Sequence, residues 1–412
     1  MFGETGFSLA IPLRSSSMQA DLRPEAKLLI EICAFVCTGR SNPATDELLS
    51  GELDWSYIER TSADNGIIPI VSKWLRVTSA ERVPPEVKHK ITLAAEVNAL
   101  QNAHLSGELV RIIGSFSENG IDAIAAKGPV LAVLAYGEVS MRTFMDLDLL
   151  VHSSDLTRTT RILISDGYAP TATDDRPAEA EIFSAFPTSF EARRGATCID
   201  VHWQVGPTRI GFFPDEDSLW ARSVWIDFQR TPVRSFSPAD QVIYLCAHSA
   251  KHGWTMLKMV CDLAGLIQRS GAMDWEWIVT EAKRLHGLRM MLLGLYLSHH
   301  LMRVEIPDSI MRLADADAEV KALAAQLVRD MFIAPDQKPE PANPEEIALR
   351  TMDRKSDRVR YWFYRSVTPT MGDWTFLPLP RLLYPAYFII RPLRFALAPV
   401  RKLFSARAAS KA

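Results

Sequence analysis

Two aspartates, Asp146 and Asp148, interrupt the otherwise apolar run "RTFMDLDLLV" at residues 142–151. Leu147, Leu149 and Val151 alternate with Asp146, Asp148 and Leu150, so the period of a β-strand sends both carboxylates to one face of a sheet. Like charges so placed repel, and burying either is costly without a positive partner. Facing water they are harmless; buried, they need a cation between them. A second strand-like run, "CIDVHW" at 198–203, puts Asp200 and His202 on one face and Ile199, Val201 and Trp203 on the other. If the two strands are neighbours, Asp146, Asp148 and Asp200 converge, and oxygen ligands of that number and charge suit Mg²⁺ or Mn²⁺. Such an ion bridges carboxylates and phosphate oxygens and neutralises the charge that develops during in-line displacement at phosphorus. Taken singly, Asp200 reads as a surface aspartate and His202 as a hydrogen-bonded bystander; the three acids together give both more weight.

The stretch "AAKGPVLAVLAYGEVSMR" precedes these acids. A strand running through Lys127 and Gly128 into a helix gives a tight turn, backbone N–H groups at a helix start and an adjacent ammonium, all suited to a phosphate tail. Arg142, four residues before Asp146, has two roles open to it: clamping the same phosphates or pairing with an aspartate.

The elements that must position these groups follow from periodicity. Apolar spacing is helical from Pro24 to about Glu118 and stops at Asn119-Gly120. "IDAIAA" then reads as a strand, "VLAVLAYG" as a helix, "MDLDLLVH" as a strand and "SSDLTRTTRILISDGY" as a capped helix ending at Gly167. After a polar stretch, "EIFSAFPTSFEA" and "ATCIDVHWQV" read as two further strands. From Ser237-Pro238, a helix start, helical spacing continues to about Phe332. "APDQKPEPANPEE" reads as a surface connector. The expected organisation is a flexible N-terminus (1–20), a helical region (21–119), an α+β core with a small mixed sheet (120–236), a second helical region (237–334), a connector (335–373) and a basic apolar tail (374–412).

The run "KG..L....YG....R...DLDLLV", followed by "DGY" and "IDVHW", resembles the bacterial uncharacterised nucleotidyltransferase family, a branch of the polymerase-β-like nucleotidyltransferase superfamily. The resemblance extends from about Ile121 to Trp203. It implies a small mixed sheet with helices, metal-binding acids at Asp146, Asp148 and Asp200, and transfer of a nucleoside monophosphate from an NTP such as ATP. In that reading Lys127, Gly128 and Arg142 face the triphosphate, and Asp200 completes the metal site or deprotonates the acceptor. The superfamily usually carries Gly-Ser on the phosphate turn; here Lys127-Gly128 stands in its place, with the lysine as a point charge.

"AHSAKHGW" sets His248 and His252 one helical turn apart, with Lys251 between them. No glutamate follows His248 as a zinc protease requires, and a third ligand is not evident. A polar contact between helical and catalytic regions is one reading; a place for Lys251 and His252, with His202, in the phosphate or acceptor pocket is the other, since similar "H..KH.W" stretches accompany the resembled family. Asp262, further along, is a candidate partner for these histidines. His299-His300 reads as the end of a helix. Walker, Rossmann and G-x-S-x-G signatures are absent.

The 412 residues, 48% of them hydrophobic, can build two or three domains, and a net charge of -3 makes long nucleic acid an unattractive partner. Five scattered cysteines imply no disulfide framework. The opening residues, without a basic start and a long apolar run, do not read as a secretory signal, and no apolar run reaches the roughly 18 residues of a membrane span. A cytoplasmic protein is expected. After Asp373 no acidic residue appears, while seven basic ones punctuate the apolar tail, which suits a peripheral membrane surface or a partner protein. The alternatives to an Mg²⁺-dependent nucleotidyltransferase with an unidentified acceptor are a low-turnover nucleotide-binding regulator docked at a membrane or biosynthetic complex, and a phosphotransferase on the same fold.

Overall fold

Seven strands form one mixed sheet among the described residues: β1 (Ala123–Ala125), β2 (Asp146–Val151), β3 (Ala169–Pro170), β4 (Ser189–Arg194), β5 (Thr197–His202), β6 (Val224–Phe228) and β7 (Thr231–Ser235), in the order β3-β4-β5-β2-β1-β7-β6. The computed structural model describes residues 17–78, 81–170, 189–205, 215–333, 343–369 and 371–397. Most of the expected flexible N-terminus, the first part of the strand expected at 181–192, the start of the connector and the end of the tail lie outside these residues. β2 and β5 run parallel with Asp148 directly beside Asp200, and β1 pairs antiparallel with β2.

Period two in β2 and β5 separates two environments, as the alternation requires. Leu147, Leu149, Ile199 and Val201 face a core shared with Leu105, Leu109, Ile112 and Phe116 of a long N-terminal helix. On the opposite face Leu150 packs with Ile124, Trp220 and Phe236, leaving the aspartates at the open end of that face.

The N-terminal helices are α1 (Pro24–Thr38), α2 (Ala44–Ser50), α3 (Trp55–Asp64), α4 (Ile68–Val77) and α5 (Pro85–Glu118). Within the core lie α6 (Gly128–Tyr136), α7 (Leu156–Ser165) and α8 (Glu216–Arg222). After the sheet come α9 (Pro238–Lys251), α10 (Leu257–Arg269), α11 (Trp275–Arg284), α12 (Leu288–Met302), α13 (Asp308–Ala316) and α14 (Ala318–Phe332). Ser237 caps α9 by accepting a hydrogen bond from the Asp240 N–H, with Pro238 in the first turn as the sequence predicts. The two helical regions share one core, in which Leu28, Ile30 and Ile70 pack with Val242, Leu263 and Leu297.

α6 is apolar all round because it is buried on two sides. Val130 and Ala132 join the sheet core, whereas Leu131 and Ala135 join the helical core. Gly265 of α10 makes this close approach possible: a Cβ there would lie 2.5 Å from the Ala135 carbonyl oxygen.

Two elements differ from expectation. The β6–β7 hairpin is not among the predicted strands; its turn residues, Gln229 and Arg230, both take positive φ without the usual glycine or asparagine. The stretch expected as a connector holds α15 (Pro344–Arg350) and α16 (Lys355–Val367). Asn343 caps α15, and Ile347 and Ala348 are buried in the helical core, so hydrophobic burial overrides the proline-rich signal. α17 (Met371–Phe376) and helical residues 387–397 end the described chain. All five cysteines are free and buried, and no helix among the described residues is long and apolar enough to cross a membrane.

Candidate functional site

The loop entering β2 is held before the aspartates begin. Asn102 of α5 donates from Nδ2 to the carbonyls of Val139 and Arg142, each at 2.7 Å. Lys258 of α10 donates to the Thr143 carbonyl at 3.0 Å, and its own N–H bonds to the Asn65 carbonyl. These bonds fix where β2 starts, and the β2–β5 register then sets Asp148 against Asp200.

Asp148 is the buried centre of the cluster. Lys127 Nζ lies 2.8 Å from its Oδ1 and His202 Nε2 lies 3.2 Å from the same oxygen; His202 also reaches Asp200 Oδ2 at 3.2 Å. Burial opposes ionisation of Asp148, but Lys127 and His202 outweigh it and hold the carboxyl far below the usual range. Asp146 differs: burial and the charge of Asp148 push it up. Burial also works against the Lys127 ammonium, yet Tyr244 and the Asp148 carboxylate lift it above its ordinary value.

One wall comes from α9, where Tyr244, His248 and His252 form a stripe with ring centroids 6.0 and 4.5 Å apart. His248 Nε2 sits 3.5 Å from Lys127 Nζ. Burial and the Lys127 charge push His248 well below its ordinary value, so its neutral imidazole accepts from an ammonium that can only donate. Together these groups enclose a cavity of about 440 Å³, lined also by Asp146, Asp200, Lys251 and His252.

The carboxylates of Asp148 and Asp200 and the His202 imidazole offer ligand atoms within 4.8 Å of one another, so this group could hold a metal ion. The donor set, two hard oxygens and one nitrogen, fits a divalent cation, with Asp146 outside the tight cluster but on the same cavity wall.

The family model for uncharacterised nucleotidyltransferases matches residues 51–303. The chain belongs to that family. No curated protein matches it. The match takes in the sheet, the cavity and the helices α9 and α10 that wall it, so the family extends well beyond the core run of 121–203 on which the resemblance was read.

Arg142 is tied elsewhere: its Nε donates to Asp262 Oδ2 at 2.9 Å in a buried pair at the cavity floor, and Tyr136 donates to Asp262 Oδ1 at 2.9 Å. Of its two open roles, pairing with an aspartate is the one the geometry displays. Asp262 therefore does not partner His248 or His252; its reach is toward α6 and the start of β2. Lys258, Tyr244 and Tyr136 escaped the sequence reading. Tyr244 and Lys258 had a signal, since each lies four residues ahead of a candidate, His248 and Asp262, on the same helix.

Gly128 opens α6 at φ +56, and a Cβ there would stand 3.3 Å from the Asp146 carbonyl oxygen. Gly128→Ala should therefore cost about 1–2 kcal/mol of stability through backbone strain alone, and should shift the start of β2. Chemical denaturation of the variant measures the loss; an unchanged midpoint would show that the turn relaxes freely.

His202 gives a pH prediction. Burial disfavours its imidazolium, but Asp148 and Asp200 push it up to about 9 from an ordinary 6.5. The folded state thus holds this proton more tightly, and the stability it contributes is full below about pH 6.5 and lost as pH rises through about 9. With chelator present, the thermal midpoint of the wild type should fall across that window more steeply than that of His202→Gln. Equal slopes would mean that protonated His202 contributes nothing.

Proposed function

We propose that the protein transfers a nucleoside monophosphate from an NTP to an acceptor hydroxyl or amine, using Mg²⁺ or Mn²⁺ bound by the acids of β2 and β5. The observation that carries this reading is the register of Asp148 beside Asp200 on the floor of a cavity that also holds Lys127, in a chain of a nucleotidyltransferase family. When bound, the ion supplies charge neutralisation at the reacting phosphate.

The chain's own groups do the rest. Lys127 and the backbone at Gly128, at the start of α6, present positive charge to the phosphate tail. Asp200, whose side chain is 32% exposed against 4% for Asp148, is the carboxylate with room to take a proton from the acceptor. Asp146 shares the cavity wall and completes the acidic set. Lys251 and His252 line the outer part, where an acceptor or the far end of the nucleotide would sit. The acceptor is a small molecule, a natural-product precursor or a protein side chain, in keeping with a net charge of -3 that gives long nucleic acid little attraction.

A second reading draws on the same cluster: Lys127 and His202 already engage Asp148, which suits a protein that binds nucleotide and turns it over slowly. Incubation with each labelled NTP, Mg²⁺ or Mn²⁺ and a cell extract separates the possibilities. Pyrophosphate release with label entering an acceptor supports nucleotidyl transfer. Transfer of the terminal phosphate alone identifies a phosphotransferase, and tight binding with neither product identifies the regulator.

A further inference from the structure

The last described segment has its polarity turned inside out. Asp373 of α17 is buried, and Arg391 and Arg394 from helical residues 387–397 turn inward to it, at 3.7 and 2.5 Å. Arg391 also donates to the Arg365 carbonyl, and the Tyr387 hydroxyl donates to the Leu377 carbonyl at 2.8 Å while accepting from the Leu379 N–H at 3.0 Å. The polar groups thus staple the segment from within. Facing outward are Leu382 at 94% exposure, Ile389 at 67%, Leu393 at 59% and Leu397 at 56%. Ile389, Leu393 and Leu397 recur every four residues, which puts them on one side of the helix. A helix meant for water shows the reverse arrangement. On its inner side the helix is packed on α16 through Phe395, which contacts Trp362, an exposed indole of the kind enriched where protein meets lipid headgroups.

We propose that this face seats the protein on an anionic lipid surface. Charge selects that occupant. Beyond the described helix the chain carries Arg401, Lys402, Arg407 and Lys411 and no acid, so the apolar side chains are followed by cations suited to phosphate headgroups. Pro385, Pro392 and the arginines interrupt the apolar sequence, and no described helix is long and apolar enough to cross a bilayer. The segment therefore lies in the interface, with its leucines and isoleucine among the acyl chains.

Vesicle flotation of the full chain tests this. Binding to vesicles containing about one-third phosphatidylglycerol should exceed binding to pure phosphatidylcholine about tenfold, and salt near 0.5 M should erode the difference. Ile389→Glu/Leu393→Glu should lower binding about tenfold or more, whereas Leu100→Glu, on the exposed side of α5, should leave it unchanged. Arg401→Glu/Lys402→Glu provides a second route that changes charge alone and should abolish the preference for anionic vesicles. The proposal fails if neither vesicle is bound, if both are bound equally, or if the Ile389/Leu393 variant binds like the wild type. It also fails if sedimentation shows a wild-type dimer that the same variant dissolves, since the face would then belong to a second copy.

Discussion

Asp148→Asn should reduce pyrophosphate release from the preferred NTP about a thousandfold, the scale at which one oriented charge in a water-poor site contributes to rate. The substitution keeps the side chain's size and removes its charge. Its partners are then left facing a neutral amide: Lys127 at 2.8 Å loses its paired carboxylate, and His202 at 3.2 Å keeps only Asp200 as counter-charge. Adding Asp146→Asn should lower the rate little further, because residues that act as one unit do not contribute additively. Asp200→Asn should also fall steeply, but with a different signature: with Asp200 as the group that takes the acceptor proton, nucleotide binding survives while turnover is lost. Retention of activity within about tenfold in Asp148→Asn would remove the metal-assisted reading altogether. Folding of each variant is checked by near-ultraviolet circular dichroism.

The second large effect is on stability. Asp262→Ala should cost about 3–5 kcal/mol, because it strands a buried guanidinium and removes the acceptor for a half-buried phenol. Arg142 and Asp262 are both almost fully buried, and Tyr136 donates to the second carboxylate oxygen. Arg142→Met/Asp262→Leu should recover much of the loss, since a matched apolar pair needs no desolvation of charge. Tyr136→Phe should cost only about 1 kcal/mol, the net worth of one hydrogen bond. Thermal unfolding of the four proteins resolves this. A double variant no more stable than Asp262→Ala would mean that the ion pair is needed for packing at the β2–α10 junction beyond its charge balance.

The aspartates were legible because strand period is local: three apolar residues alternating with acids can be read without knowing the neighbours. Their register was not. Asp148 meets Asp200 across more than fifty residues of chain, and nothing in either run encodes which residue faces which. His202 could be placed on the right face but not between two carboxylates. Asp262 was misassigned because spacing along one helix shows shared direction, not the element opposite; its true partner arrives from the loop before β2. The β6–β7 hairpin hid behind a Gln-Arg turn that forces two side-chain-bearing residues into positive φ. In the stretch expected as a connector, Asn343-Pro344 was a legitimate helix start obscured by the prolines before it.

The cavity has a floor from strands that end at residue 202 and a wall from α9 and α10, which extend to residue 269. During synthesis, the acids therefore leave the ribosome with no wall to close over them, and His248 cannot meet Lys127 until the later helices have docked on a core already containing α1 and α4. A nascent chain is in this way kept from assembling its pocket until most of its body exists. For the same reason residues 120–236 alone would make a poor minimal enzyme, whatever sheet they formed. Shortening this protein to its acidic strands would discard His248, His252, Lys258 and Asp262 together.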